Sequence, residues 1–340
     1  MNKRFVDTLA GVNGKIPPVW MMRQAGRYHK HYQALRAKHS FMELCKNPEL
    51  AAQVALGPIQ DFDFDVAILF SDLLFPLEAL GMGLEYTDAG PRLAWQLRPE
   101  NLNQLVPANE ALEKLFFQKK AVELTRQMLP KDKSLVGFVG GTWTLFVYAC
   151  EGSHTGGMIL SKKQLPLFQK YLNFMLPLLK ENIRLQFEGG AEIVYLFDTA
   201  AGELSPAMFQ EWIEPGLMTL ADAYPTKLAY YSKATYPTHF SKKFLASPWA
   251  GLGFDHKVGL PELLKNKPNK GFIQGNFDQN LLHADTDFFK SEFTKFLKSF
   301  SDVDVSHRGS WVCGLGHGVL PKTPESHVKF FVEEVRKVFG

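Results

Sequence analysis

Eight short apolar runs recur along the 340-residue chain: PVWMM at 18–22, VAILF at 66–70, LVGFV at 135–139, EIVYLF at 192–197, KLAYY at 227–231, AGLGF at 250–254, GFIQG at 271–275 and SWVCGLG at 310–316. Helical patterns lie between them. In NPELAAQVALGPIQ, Asn47 is placed as an N-cap with Pro48 at the first helical position, and TPESHVKFFVEEVRKVF repeats the signal with Thr323 and Pro324. Short, fully apolar strands separated by helices imply a parallel sheet covered on both faces.

Eight is also the number of strands that closes a barrel, so the pattern predicts an α/β fold, a single (β/α)8 TIM barrel over residues 1–340. The alternative is an open, doubly wound sheet with a second domain. Against it, no GxGxxG follows the first run and no Pro/Gly/Ser-rich linker divides the chain.

Composition narrows the function classes. Hydrophobic residues make up 46 % and charged residues 21 %, a balance that buries a sizeable core and does not resemble a disordered chain. Lys and Arg number 38 against 35 acidic residues, and a net charge of +3 is too mild for a nucleic-acid-binding protein recognised by bulk charge. Any anion site must therefore be local. Cys45, Cys150 and Cys313 are odd in number and lack CxxC or HxC spacing, which argues against a disulfide framework and a cysteine-rich metal site and fits a reducing cytoplasm. The opening MNKRFVDTLAG has no apolar segment behind its basic residues, so a secretory signal is not expected. The longest uncharged stretch, Ser134 to Cys150, is interrupted by Gly140 and Gly141 and reads as strand plus loop rather than a membrane span.

In such a barrel the active site lies at the carboxyl ends of the strands. The residues following each run are then candidates: Arg23 and Arg27, Ser71 and Asp72, Trp143 and Tyr148, Asp198 and Thr199, Asp255, Asn276 and Asp278, and His317. Arg23 and Arg27 in RQAGR either form surface ion pairs or use their planar forks to hold carboxylates or phosphates. Asp72 interrupts an apolar stretch from Val66 to Pro76, where an acid is costly to bury. It either caps the next helix or accepts N–H donors and stabilises developing positive charge. Tyr148 is equally readable as a core tyrosine. His317 stands between glycines in GLGHG, which free the backbone and expose the ring. Asp255, His256 and His317 lack regular metal-ligand spacing, so no metal site is expected.

Taken together, PVWMMRQAGRY, ILFSDLL, GFVGGTWTL with Tyr148 behind it, FDTAAG, QGNFD and GLGHG resemble, in order, the motifs of the uroporphyrinogen decarboxylase family from about Arg4 to the last helix. The resemblance implies a (β/α)8 barrel, commonly a homodimer with neighbouring clefts, and no cofactor. It implies that Arg23 and Arg27 pair with substrate carboxylates and that Gln24, Ala25 and Gly26 supply the backbone between them. Asp72 would face the pyrrole N–H groups, and Tyr148, Thr199 and His317 would line the cleft. Asp72 and Arg23 are the catalytic pair on this reading. The implied substrate is uroporphyrinogen, whose eight carboxylates suit two strand-end arginines. Protonation of a pyrrole carbon beside each acetate makes the substrate its own electron sink. No nucleic acid or membrane enters.

Three positions depart from the family's usual pattern. Thr142 precedes Trp143 where many relatives carry Pro, Thr199 stands where many carry Ser, and His256 follows GFD where an aromatic residue is common. Two rivals remain. A methyltransferase of the same superfamily needs thiolate and imidazole ligands for zinc, and a tetrapyrrole carrier needs the arginines but not Asp72.

Overall fold

The computed structural model describes residues 1–340 apart from Asn13, Asp88, Ala89 and Thr155. Seven of the eight apolar runs become strands of one parallel sheet: β1 (Val66–Ile68), β4 (Ser134–Gly140), β5 (Ile193–Phe197), β6 (Leu228–Tyr231), β7 (Gly251–Gly253), β8 (Phe272–Phe277) and β9 (Trp311–Leu315). A separate antiparallel hairpin, β2 (Glu85–Thr87) and β3 (Gly90–Arg92), projects from the β1 side of the chain. Every residue of the seven sheet strands is buried, as a sheet covered on both faces requires.

Strand order follows chain order, from Val66 paired with Ser134 at one end to Phe277 paired with Leu315 at the other. A doubly wound sheet reverses its order at a switch point. This one does not, so the doubly wound alternative is not the architecture seen.

The first run differs from the others. Residues 18–22 form a single parallel bridge, Val19 to Cys313, rather than a strand. Pro17 and Pro18 have no N–H to give a ladder. The Val19 N–H is taken by the Asp65 carboxylate at 2.8 Å. The segment nevertheless lies between β9 and the residue preceding β1: Trp20 N–H donates to Cys313 O, Cys313 N–H donates to Pro18 O at 2.9 Å, and Asp65 N–H donates to Val19 O at 3.0 Å.

Helices fill the connections. Asn47 caps Pro48–Phe62 through Leu50 N–H at 3.0 Å, with Pro48 in the first turn. The last helix, Glu325–Phe339, starts one residue later than Thr323 and Pro324 suggest, with Pro324 at the cap. The Thr323 hydroxyl is engaged elsewhere, with Leu320 O and His283 Nε2. The stretch 134–150 is β4 followed by the helix Thr142–Glu151, not strand plus loop. That helix is started by Asp198, whose carboxylate accepts from both the N–H and the hydroxyl of Thr144 at 2.7 Å. Among the described residues no helix is long and apolar enough to cross a membrane.

Asp65 sits at the amino end of the sheet, opposite the mouth, and only 1 % of it is exposed. Besides Val19 N–H, its carboxylate accepts from Asn2 Nδ2 at 3.0 Å and Arg4 at 2.8 Å. Asp65→Ala leaves the buried Val19 N–H and Asn2 amide without their acceptor, at about 1–3 kcal/mol for such a group, while Arg4, 35 % exposed, can turn to water. Urea unfolding should show a loss of this size. An unchanged midpoint would mean that the first run is seated without this carboxylate.

Candidate functional site

The loop leaving the first run is shaped by its own side chains. Gln24 is buried and pins the loop to β1 by donating from Nε2 to Val66 O at 3.1 Å, while its carbonyl accepts the Tyr28 hydroxyl at 2.7 Å. Gly26 O accepts His29 N–H at 2.9 Å, and Ala25 packs beside Tyr32, Leu44 and Val54. Gln24 to Gly26 are thus supporting backbone. Arg23 takes a left-handed conformation, φ +58°, uncommon outside glycine. Its side chain runs over Gly318, where an added Cβ would stand 2.5 Å from Arg23 Cδ. The second glycine of GLGHG therefore makes room for the arginine. Arg23 and Arg27 are both exposed, and neither guanidinium has a partner among the described residues.

Asp72 follows β1 and is half-buried, and its Oδ1 accepts Leu74 N–H at 2.8 Å. It therefore does part of the local capping work that its position allows. Burial pushes its pKa above the usual carboxylate range, while the facing Tyr86 hydroxyl, the Leu74 N–H and the Arg23 charge pull it back. Tyr148, on the helix Thr142–Glu151, lies within the fields of both Asp72 and Arg23 and shares a 2.6 Å hydrogen bond with His154 Nδ1. Burial, then the Asp72 charge, pushes its hydroxyl up to about 12.

His317 follows β9 and stacks on Tyr231, with centroids 6.0 Å apart and planes 21° from parallel. Burial pushes its pKa down to about 3, assisted by the charges of Arg23 and Lys233 and by His154 and His256. Its ring is neutral at neutral pH, and the buried Nδ1 has no partner among the described residues. Beneath it runs an aromatic series, Tyr231 to Phe197 at 6.1 Å and Phe197 to Phe138 at 5.6 Å. Phe138 and Phe197 each keep 9 % of their surface open, unlike the sealed Tyr195 and Tyr231 beside them.

The structure thus brings Arg23, Asp72, Tyr148 and His317 into one electrostatic neighbourhood. Arg27 stands apart, with its charge felt at Tyr32. Thr199 is half-buried just beyond β5.

Other residues after the strands turn out to be scaffold. Trp143 is fully buried against Phe146 and Phe168, and Asp198 is the Thr144 latch. Ser71 accepts from Gln118. Asn276 donates to the carbonyls of Asp255 and Val258, both at 2.7 Å. Asp278 binds Asn280 and sits 3.7 Å from His256 Nε2. The Asp255 carboxylate accepts Ala234 N–H at 2.7 Å and Lys257 N–H at 3.0 Å, which leaves it committed to the backbone. Among the described residues no three His, Cys, Asp or Glu side chains are grouped to hold a metal.

Lys233, His154, Tyr86 and Tyr231 stand beside these candidate groups and were not picked out by the reading of the sequence. Lys233 follows the fifth run by two positions, so the strand-end rule applied there points to it. His154 and Tyr86 come from a loop and a hairpin whose return to the mouth no local pattern announces.

With chemistry of this kind in view, comparison with known proteins is informative. The family model described as uroporphyrinogen decarboxylase matches residues 1–338. Proteins named uroporphyrinogen decarboxylase from Chlorobium phaeobacteroides and Aliarcobacter butzleri are each 33 % identical over 99 % of this chain, covering 97 % and 99 % of their own lengths. Among solved structures, a methyltransferase from Methanosarcina mazei aligns with a TM-score of 0.80 at 19 % identity, covering 100 % of this chain and 99 % of its own, a likeness of fold. Cys45, Cys150 and Cys313 are all buried, and burial holds the Cys45 and Cys313 thiols well above their ordinary range.

His317 makes a pH prediction. An unfolded histidine takes up its proton near its ordinary value of 6.5, whereas the folded ring resists to about 3. The unfolded chain binds the extra proton between these values, so stability falls as pH drops through that window. His317→Gln removes the titration and should lose less stability than the parent between about pH 7.5 and about pH 5 in urea titrations. Equal losses would show that the folded ring is protonated as readily as a free one.

Proposed function

The chain belongs to the uroporphyrinogen decarboxylase family, and we propose that its cleft removes CO2 from the four acetate side chains of uroporphyrinogen III, giving coproporphyrinogen III without a cofactor. The observation that carries the reading is the Asp72 carboxylate, half-buried and within the field of Arg23, whose guanidinium has no partner among the described residues. A ring of pyrroles offers convergent N–H donors to one carboxylate, and its acetates and propionates offer anions to the guanidinium.

The step balances without a bound redox group. A proton adds to the pyrrole carbon next to an acetate, and the ring becomes cationic. The carbon–carboxylate bond breaks, CO2 departs, and its electron pair flows into the ring to leave an exocyclic methylene. A proton adds there to form the methyl group, and the ring carbon gives its proton back. Asp72 accepts the N–H groups and offsets the positive charge from a half-buried position, where a preorganised charge is more effective than in open water. Arg23 and Arg27 hold carboxylates, with Thr199, Tyr148 and His317 along the walls. A neutral His317 offers a hydrogen bond rather than a ready acidic proton.

On the same reading residues 18–22 serve as the eighth strand, closing a single (β/α)8 barrel domain over residues 1–340. The Val19–Cys313 bridge and the Asp65 N–H to Val19 O bond support that closure. Family membership supports a homodimer with neighbouring clefts, working in the cytoplasm.

Asp72→Asn preserves shape and removes charge, so turnover of uroporphyrinogen should fall on the order of 10²-fold or more with folding intact. Near-normal turnover would reduce Asp72 to its bond with Leu74. Arg23→Lys and Arg27→Lys keep charge but lose the fork, and should raise the Michaelis constant. If both lysine variants match the parent, the arginines do not clamp the substrate.

A further inference from the structure

Lys233 is placed with unusual care for an exposed lysine. It lies two residues beyond Tyr231, whose ring stacks on His317 and whose hydroxyl donates to Gly316 O at 2.7 Å. The next residue, Ala234, is left-handed at φ +59° and is held there by its N–H to Asp255 Oδ2 at 2.7 Å. On the other side, the Lys233 carbonyl lies against Gly202, where an added Cβ would come within 1.9 Å of it. The backbone of Lys233 is thereby fixed against the loop that carries Thr199.

The side chain has no such commitment. Lys233 is exposed and its ammonium has no acidic or carbonyl partner among the described residues. Other exposed lysines, Lys38 and Lys170 among them, are likewise unpaired among the described residues, so what sets Lys233 apart is its place beside the ring pair of Tyr231 and His317. Lys233 and Arg23 both bear on His317 and on His154, so the two cations act on the same rings. Of the nearby acids, Asp255 is committed to backbone N–H groups and Asp198 to Thr144, while Asp72 acts on Arg23.

We infer that Lys233 is a further carboxylate anchor of the cleft, working with Arg23 to hold the side-chain acids of the tetrapyrrole. This rests on the proposed decarboxylase reading and adds a residue to it. The two cations suit different tasks. A guanidinium fork is directional and fixes one carboxylate, whereas an ammonium on a four-carbon stem is a rotatable point charge. Successive decarboxylations require the macrocycle to present a different pyrrole each time, and a non-directional anchor accepts a carboxylate from each orientation.

The test is steady-state kinetics on the full-length protein with uroporphyrinogen under anaerobic conditions. Turnover by the parent comes first, and its absence would refute the decarboxylase reading itself. Given turnover, Lys233→Met should raise the Michaelis constant about tenfold or more, the lower end of what one hydrogen bond to a charged group yields, with kcat within about twofold. Lys233→Arg, which keeps the charge, should stay within about threefold of the parent constant. The Met variant should also show a shallower fall of kcat/KM with added salt. Circular dichroism and an unchanged urea midpoint establish that the variant folds. An unchanged Michaelis constant in the Met variant, an Arg variant as impaired as Met, or a loss confined to kcat would each overturn the anchor role while leaving the decarboxylase reading in place.

Discussion

The hydrogen bonds that seat residues 18–22 between β9 and the start of β1 position the cation at the centre of the mouth. Two prolines deny this segment a regular ladder, so the Asp65 carboxylate takes the Val19 N–H from below while Cys313 supplies the neighbouring backbone. The chain then turns at Arg23, held by Gln24 against Val66, and the arginine side chain lies in the space left by Gly318. The placement of the guanidinium thus depends on an acid at the opposite end of the sheet and on a glycine almost three hundred residues away in sequence.

Around that fixed cation the charges are arranged sparingly. Most acids near the strand ends are already satisfied, Asp198 by Thr144 and Asp255 by Ala234 and Lys257. Asp72 remains with one oxygen bonded to Leu74 N–H, and the Tyr86 hydroxyl and Arg23 act on it. Arg23 and Lys233 remain unpaired among the described residues. A cleft of this composition favours a ligand that carries several anions outside and N–H donors inside, and it keeps a neutral imidazole where a charged one would repel the cations.

The sheet was largely legible in the chain because buried parallel strands must be short and apolar, and seven runs became strands for that reason. The first run is seen as a single parallel bridge rather than a full strand, because the rule weighs side chains and ignores the missing N–H groups of Pro17 and Pro18. Ionisable residues at strand ends stand out in a sequence, and the structure brings Arg23, Asp72 and His317 into one electrostatic neighbourhood. The rule could not separate a mouth residue from scaffold, since Asp255 and Asn276 turn inward to bond backbone while Trp143 enters the core. His154 and Tyr86 were invisible because their approach to Tyr148 and Asp72 is a product of tertiary folding alone.

The central claim is that a single carboxylate and flanking cations, with no external electron sink, suffice for decarboxylation. It is tested most directly by incubating the purified protein anaerobically with uroporphyrinogen III and a metal chelator, then separating the products by chromatography. The account predicts conversion to the tetracarboxylate coproporphyrinogen III, through intermediates that have lost one acetate carboxyl at a time, at the same rate with and without chelator. Tight binding of uroporphyrinogen with no loss of CO2, or turnover that stops with chelator and returns with one added metal, would contradict it.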